Sequence, residues 1–565
     1  MRFNIRIQTL TIFLIISILA GLFLRLYHVG HSLGAHPDER HIVMTTMALE
    51  ERAFNPKSFA YGSLPFYLLY GVSKASGVIY PWLGSYDGLF YVGRILLGLP
   101  LFLITVFFLI KLSKEAFEAK EPGVFASMLL AGNYFHIQLS RFYTVDPLLL
   151  CVVVVSLYCA VRTFKFPSYK NFILFGITLG LAYSVKTSGL SLLAPLGFIV
   201  LVRFLIKMNQ RSLVQTSAAL TTALATALLV LFLTSPFFFL DSKSFIKDQR
   251  EQVTMVRGEW KPPYTRQYDE TTPYLYHIEQ MLNYTIGLEV APFIVLGLCI
   301  GLYRLVRYKN YVDGIVLVWL AGIFIASAGQ FVKFPRYLLP MYPILFLYAG
   351  VFLFEIQKRL LPISKNIFLL FLFVLSFFRG ASILEIITKP HTYEEGSQWM
   401  YANIPKSSKV ISVHWDDRLP IGLPGFSSEM FEYQKDLPLY EVDNELKIES
   451  ISRALENVDY IIFPTQRLPG SIMQAYKNYP MTSKFFAALY LKKLGFEPVY
   501  NLKRNPTFLG VSIDDDAADE SLSVYDHPQV TVFKKVHPMN NNEIKSQILS
   551  QDSLIMRERI LNFFD

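Results

Sequence analysis

The chain has 565 residues, of which 53% are hydrophobic and 15% aromatic, with a mean hydropathy of +0.36. That balance excludes an ordinary soluble enzyme. The three cysteines, Cys151, Cys159 and Cys299, all lie in apolar stretches, which excludes a disulfide framework or a C-x-x-C metal site. The formal net charge of +9 fits lysines and arginines in cytoplasmic loops of a membrane protein, not a nucleic-acid partner.

A hydrocarbon core takes about 20 apolar residues per helix. Windows of that length predict spans near 8–27, 88–110, 123–140, 146–163, 171–187, 189–206, 216–237, 286–304, 311–331, 337–356 and 366–385, roughly eleven in all. The first is read as a retained helix. Its apolar run exceeds a usual signal-peptide core, and no small-residue cleavage site follows. Arg2 and Arg6 put the N-terminus inside. Alternation then puts the basic loops "KLSKEAFEAKE", "RTFKFPSYK", "RFLIKMNQR", "YRLVRYKN" and "EIQKRLLPISK" inside as well. The outer side receives 28–87, the turn at 141–145, the loop 238–285, the turn at 333–336 and everything after about 388. This requires that 63–83, with Pro65, Lys74 and Pro81, lies at the outer interface without spanning.

Against this pattern stand outer-face charges. The first outer loop carries "HPDERH", residues 36–41, with Asp38 and Glu39 side by side. Arg94 lies near the outer end of the second span, and Arg141 opens the turn "SRFYTVDP", which also holds Asp146. Lys186 ends the fifth span, and Lys333 and Arg336 occupy "KFPRYLLP". A cation at membrane depth costs about 2.5–3.5 kcal/mol on insertion scales. Pairing or snorkelling accounts for any one of them. Several at one face suggest an anion site at the outer surface, since guanidinium and ammonium groups are the usual phosphate ligands. A lipid-linked phosphate would satisfy them with its tail in the bilayer. A carboxylate beside it could take the proton of an acceptor hydroxyl, while the cations stabilise the departing phosphate. For "PDER" alone, a helix N-terminus with Pro37 in its first turn is the competing reading.

The chain resembles the GT-C glycosyltransferases of the protein O-mannosyltransferase type, which include the lipid A aminoarabinose transferases. The resemblance runs over about 8–355 and lies in "HPDER", "YGSLPFYLLY", "YVGRILLGL", "SRFYTVDPLLL", "YSVKTSGL" and "FPRYLLPMYPIL", in that order. It implies sugar transfer from a polyprenyl-phosphate donor, dolichyl-phosphate-mannose-like in kind, to a protein or glycolipid acceptor at the outer face of a plasma or inner membrane. It gives Asp38 the role of base, with Glu39 as its partner and Asp146 as a second acidic residue. Arg94, Lys186, Arg336 and Tyr337 fall at donor-phosphate positions, and Arg141 joins them as an outer-turn cation. No resident metal is assigned. A divalent metal on His36, Asp38 and His41 is the open alternative, although i, i+2, i+5 is not a recognised ligand spacing.

After about 388 the long apolar runs stop. "VISVHW", "DYIIFP", "FLGVSI" and "QVTVFKKV" predict strands, and "TYEEGSQWMYANIP" and "SKFFAALYLKKLGF" predict helices. The expected organisation is a transmembrane glycosyltransferase domain over 1–388, an extracytoplasmic α/β domain over 389–535, and a linker with a terminal amphipathic helix over 536–565. Asp416 and Asp417 are further ligand candidates in this tail. The alternative class is a polytopic lipid or solute transporter or flippase, which leaves the one-sided tail unexplained.

Overall fold

The structure is a computed structural model that describes residues 2–206, 210–413 and 417–551. They form two units, one from Met1–Val256 with Pro273–Ile383 and one from Arg257–Thr272 with Leu384–Asp565.

The first unit is helical. Its helices are α1 (Arg2–Leu26), α2 (Pro37–Met47), α3 (Leu64–Ile79), α4 (Tyr86–Leu96), α5 (Phe102–Phe117), α6 (Glu121–Gly132), α7 (Tyr134–Ser140), α8 (Val145–Lys165) and α9 (Tyr169–Val185). These are followed by α10 (Leu193–Ile206), α11 (Gln210–Thr234), α12 (Phe237–Leu240), α13 (Ser242–Arg257) and α14 (Leu275–Gln280). The last four are α15 (Ala291–Tyr308), α16 (Tyr311–Ala328), α17 (Tyr342–Arg359) and α18 (Pro362–Ala381).

Among the described residues, nine helical stretches are long and apolar enough to cross a membrane. The chain is an integral membrane protein. Two of the expected spans are built differently. The stretch 123–140 breaks at Asn133, whose side chain caps α7 by accepting from His136 N. The stretch 171–187 is the 17-residue α9, at the short end of the about 17–25 residues that cross a hydrocarbon core. The segment 63–83 is α3 followed by a short turn, and it is not among the nine.

The second unit is α/β. Its strands are β1 (Lys409–Ser412), β2 (Glu432–Tyr433), β3 (Tyr460–Phe463), β4 (Phe496–Leu502), β5 (Thr507–Phe508), β6 (Val511–Ser512) and β7 (Val530–Lys535). Five of them form one sheet in the order β2-β1-β3-β7-β4, and β5 and β6 pair separately. β1 is parallel to β2 and β3, whereas β7 is antiparallel to β3 and β4. Side chains alternate across the sheet. Ile411, Ile461, Phe463 and Phe533 enter one core, and Val410, Tyr460, Ile462, Val530 and Val532 enter the other. Arg257–Thr272 is stapled into this unit, with Tyr268 Oη donating to Asp519 Oδ2 at 2.9 Å and Asn478 Nδ2 to Asp269 Oδ2 at 3.0 Å. Of the expected terminal helix, Asn541–Leu549 is helical with a full capping box, and 552–565 lie outside the described residues.

Candidate active site

The acidic pair opens α2. His36 Nδ1 accepts from Asp38 N at 3.2 Å, with Pro37 in the first turn. Carboxylates suit that end of a helix dipole, so the cap and the site use the same residues. Asp146 likewise lies in the first turn of α8. Lys186 is the extended residue that ends α9, and Arg336 follows Pro335 in the turn that leads into α17.

These four side chains meet as an alternating chain of charge. Lys186 Nζ donates to Asp146 Oδ1 at 2.7 Å. Arg336 Nε lies 3.8 Å from Asp146 Oδ2, and its Nη2 lies 3.0 Å from Asp38 Oδ2. Aromatic rings back the cations, with Lys186 Nζ 4.2 Å from the Tyr337 ring centre and Arg336 Cζ 4.5 Å from that of Phe334. The Asp38 side chain keeps 21% of its surface exposed, against 2% for Asp146. Burial pushes the Asp38 carboxyl up. Arg336, then His36, a hydrogen bond from Tyr61 and Lys186 outweigh it and hold the group below its ordinary value. Burial, and then Asp38, raise the Tyr61 phenol well above its usual range. It stays protonated and donates to the carboxylate.

Glu39, Arg94 and Arg141 are placed otherwise. All five N–H groups of Arg94 are used. Nε and Nη2 grip Glu39 at 2.7 and 2.6 Å, and the rest go to the carbonyls of Val29, His31 and Ser32. Glu39 Oε1 also accepts from Tyr143 N at 2.8 Å. The pair is buried, at 1% and 0% exposure. Gly93 permits the approach, because a Cβ there would lie 2.5 Å from the Tyr143 ring. Arg141 donates to the carbonyls of Leu24, Arg25, Tyr27 and His28 around the end of α1. Both arginines are thus engaged by the protein's own acceptors, Arg94 by Glu39 and three carbonyls and Arg141 by four carbonyls. Their donors close the carbonyl end of α1 and the turn after it.

Three residues lacked a reading from the sequence. Tyr61 opens the quoted "YGSLP" stretch, which was a usable signal. Asp248 and Gln249 on α13 hold the backbone of Phe59, and nothing in their sequence context signals it. His36, Asp38 and His41 do not bring three ligand atoms together, and His41 Nε2 bonds Ser58 Oγ at 2.9 Å. Among the described residues, three potential metal ligands converge at Asp514, Asp515 and Asp516 of the second unit. Asp416 lies outside the described residues.

Residues 92–238 match the family described as dolichyl-phosphate-mannose-protein mannosyltransferase. No curated protein matches the chain. Among solved structures, the chain is similar to the oligosaccharyltransferase AglB of Archaeoglobus fulgidus in complex with an inhibitory peptide and a dolichol-phosphate. The identity is 14%, with 89% of this chain and 75% of that one covered and a TM-score of 0.50. The Archaeoglobus oligosaccharyltransferase tethered to an acceptor peptide gives 14% identity, coverage of 93% and 88%, and a TM-score of 0.50. The chain has the GT-C glycosyltransferase fold. ArnT of Cupriavidus metallidurans bound to undecaprenyl phosphate is similar at 17% identity, over 68% of this chain and 66% of that one, with a TM-score of 0.44. Within this GT-C chain, Asp146 and Lys186 fall inside the matched family segment, and Asp38, Arg336 and Tyr337 lie outside it.

Proposed function

We propose that the chain moves a sugar from a polyprenyl-phosphate donor to an acceptor hydroxyl at the outer face of the membrane, with inversion at the anomeric carbon. The observation that carries this reading is the Lys186–Asp146–Arg336–Asp38 chain, in which two phosphate-binding cations alternate with two carboxylates. The family matched over 92–238 acts on a dolichyl-phosphate sugar by its description, and the fold's solved relative carries a dolichol-phosphate.

The chemistry follows from the charges. A donor phosphate placed on Lys186 and Arg336 competes with the carboxylates for those cations. Drawing Arg336 towards phosphate relieves Asp38 of the charge that depresses its basicity. Asp38, the more exposed carboxylate, then accepts the acceptor proton. A weak base suffices here, because the hydroxyl becomes strongly acidic as its oxygen bonds the anomeric carbon. The C–O bond to phosphate breaks as that bond forms, and the cations hold the leaving oxyanion. Asp146 keeps Lys186 and Arg336 in register. Glu39 and Arg94 set the first turn of α2.

The test is detergent-purified protein with radiolabelled polyprenyl-phosphate sugars and candidate acceptors. Sugar transfer with release of polyprenyl phosphate is expected. Uptake of the labelled lipid or sugar by reconstituted vesicles without bond cleavage would replace the reading with a transporter.

A further inference from the structure

Helix α13 has Met255 as its one buried residue, yet it reaches three of the segments that carry the charged site. Near its start, Asp241 Oδ2 accepts from Asn55 Nδ2 at 2.8 Å and from Lys57 Nζ at 2.9 Å. In its middle, Asp248 Oδ2 accepts from Phe59 N at 2.8 Å, and Gln249 Nε2 donates to Phe59 O at 2.6 Å. Both backbone groups of Phe59 are thus held by adjacent side chains of one helix. Gln249 Oε1 also accepts from Thr187 Oγ1 at 3.1 Å. At its end, Val256 O accepts from Phe331 N at 2.9 Å and Val332 N at 3.4 Å.

Three of the anchored residues lie close to a site residue. Phe59 is two positions before Tyr61, Thr187 adjoins Lys186, and Val332 is four positions before Arg336. The first two segments are also joined directly, by Gly62 N to Val185 O at 3.0 Å, where a Cβ on Gly62 would lie 1.8 Å from Ser184 O. These are loops and turns, which lack an internal ladder to fix them. Misplacement of reacting groups by about 1 Å costs about a hundredfold in rate.

We propose that α13 is a strap that sets the spacing of the site, with Gln249 as a positioning residue between the donor-phosphate side, through Thr187 and Lys186, and the acceptor-proton side, through Phe59, Tyr61 and Asp38. This rests on the functional reading above. One side chain serves both halves, so its loss affects two kinetic parameters that its partner affects singly.

The test uses the full-length protein with a polyprenyl monophosphate as binding probe and the active donor for turnover. Gln249→Met is nearly isosteric and removes both bonds. About tenfold lower kcat and a several-fold higher donor KM are expected, with polyprenyl monophosphate bound several-fold more weakly. Thr187→Val breaks the Lys186-side bond alone, from the opposite partner. It should raise donor KM without lowering kcat, and the double variant should add nothing to KM. Lys247→Ala, on the same helix, should behave as wild type. Variants with wild-type kcat and KM overturn the strap, and so does a uniform loss of active protein with unchanged KM. A wild-type protein that binds no polyprenyl monophosphate ends the functional reading, and the strap with it.

Discussion

Asp38 and Arg336 lie 3.0 Å apart, although one opens a helix in the first loop and the other opens the turn before α17. The guanidinium does two things to that carboxylate. It keeps it ionised, and it holds it on N–H groups for which an incoming anion must compete. Most of the expected behaviour of the site follows from this shared cation.

Asp38→Asn is nearly isosteric and removes charge and basicity. General-base contributions run at about 10²–10⁴-fold. The variant should bind donor and turn over at least a hundredfold more slowly in a single-turnover assay. Asp146→Asn should weaken donor binding as well, because it releases Lys186. Near-normal turnover in Asp38→Asn, with collapse in Asp146→Asn, would make Asp146 the base.

The rate should fall at low pH only when Asp38 takes up a proton. Its carboxyl is held below its ordinary value, largely by Arg336 against the opposing effect of burial. The acid limb of kcat/KM in wild type should therefore lie below the ordinary carboxylate range. Removing the cation leaves burial unopposed by it, so Arg336→Gln should shift that limb upward. Donor affinity should fall about tenfold or more, the worth of one charge-assisted contact at about 1.5–3 kcal/mol.

Glu39→Gln leaves Arg94 as a buried, uncompensated charge. Breaking a buried ion pair from one side costs about 3–5 kcal/mol. The expected outcome is a clear loss of thermal stability, with donor affinity per folded molecule little changed. A variant of normal stability and weak donor binding would restore Arg94 as a phosphate ligand.

His527 of the second unit is buried between Asp515, at 2.7 Å, and Asp526. Burial lowers its pKa, but Asp526 and then Asp515 raise it to about 10. A raised histidine stabilises the fold fully below its unfolded value, about 6.5. That contribution declines as pH rises and is lost through about 10. The unfolding transition of this unit should move to lower temperature between those limits, and His527→Gln should remove that part of the slope.

The outer assignment of 28–87 and of the chain after 388 calls for impermeant thiol labelling of engineered cysteines in intact cells. Sites in both regions should react, and sites in "KLSKEAFEAKE" should be protected. The reverse pattern would invert the topology.

The spans were legible because apolar length is a local property. The break at Asn133 was not, since it depends on what the side chain caps and reaches, including Thr285 O at 2.7 Å. Likewise, Arg94, Arg141, Lys186 and Arg336 read alike as outer-face cations. Which of them are consumed by carbonyls depends on where residues 24–32 lie, and that is a tertiary fact. Strand β4 leaves no regular alternation in the sequence because Pro498 interrupts its pattern, and the ladder with β7 shifts between Pro498 and Tyr500. β2, with two residues, is too short for a period.

The last strand in the sequence, β7, lies between β3 and β4 in the sheet. During synthesis, then, β3 and β4 leave the ribosome without the strand that joins them. The segment Arg257–Thr272, made before α15–α18, waits longer still for Asp519. The second unit can close only after its final strand is translated. A premature stop before Val530 would leave two open strand edges on a chain whose membrane helices are already complete, the kind of surface that quality-control proteases and aggregation both act on.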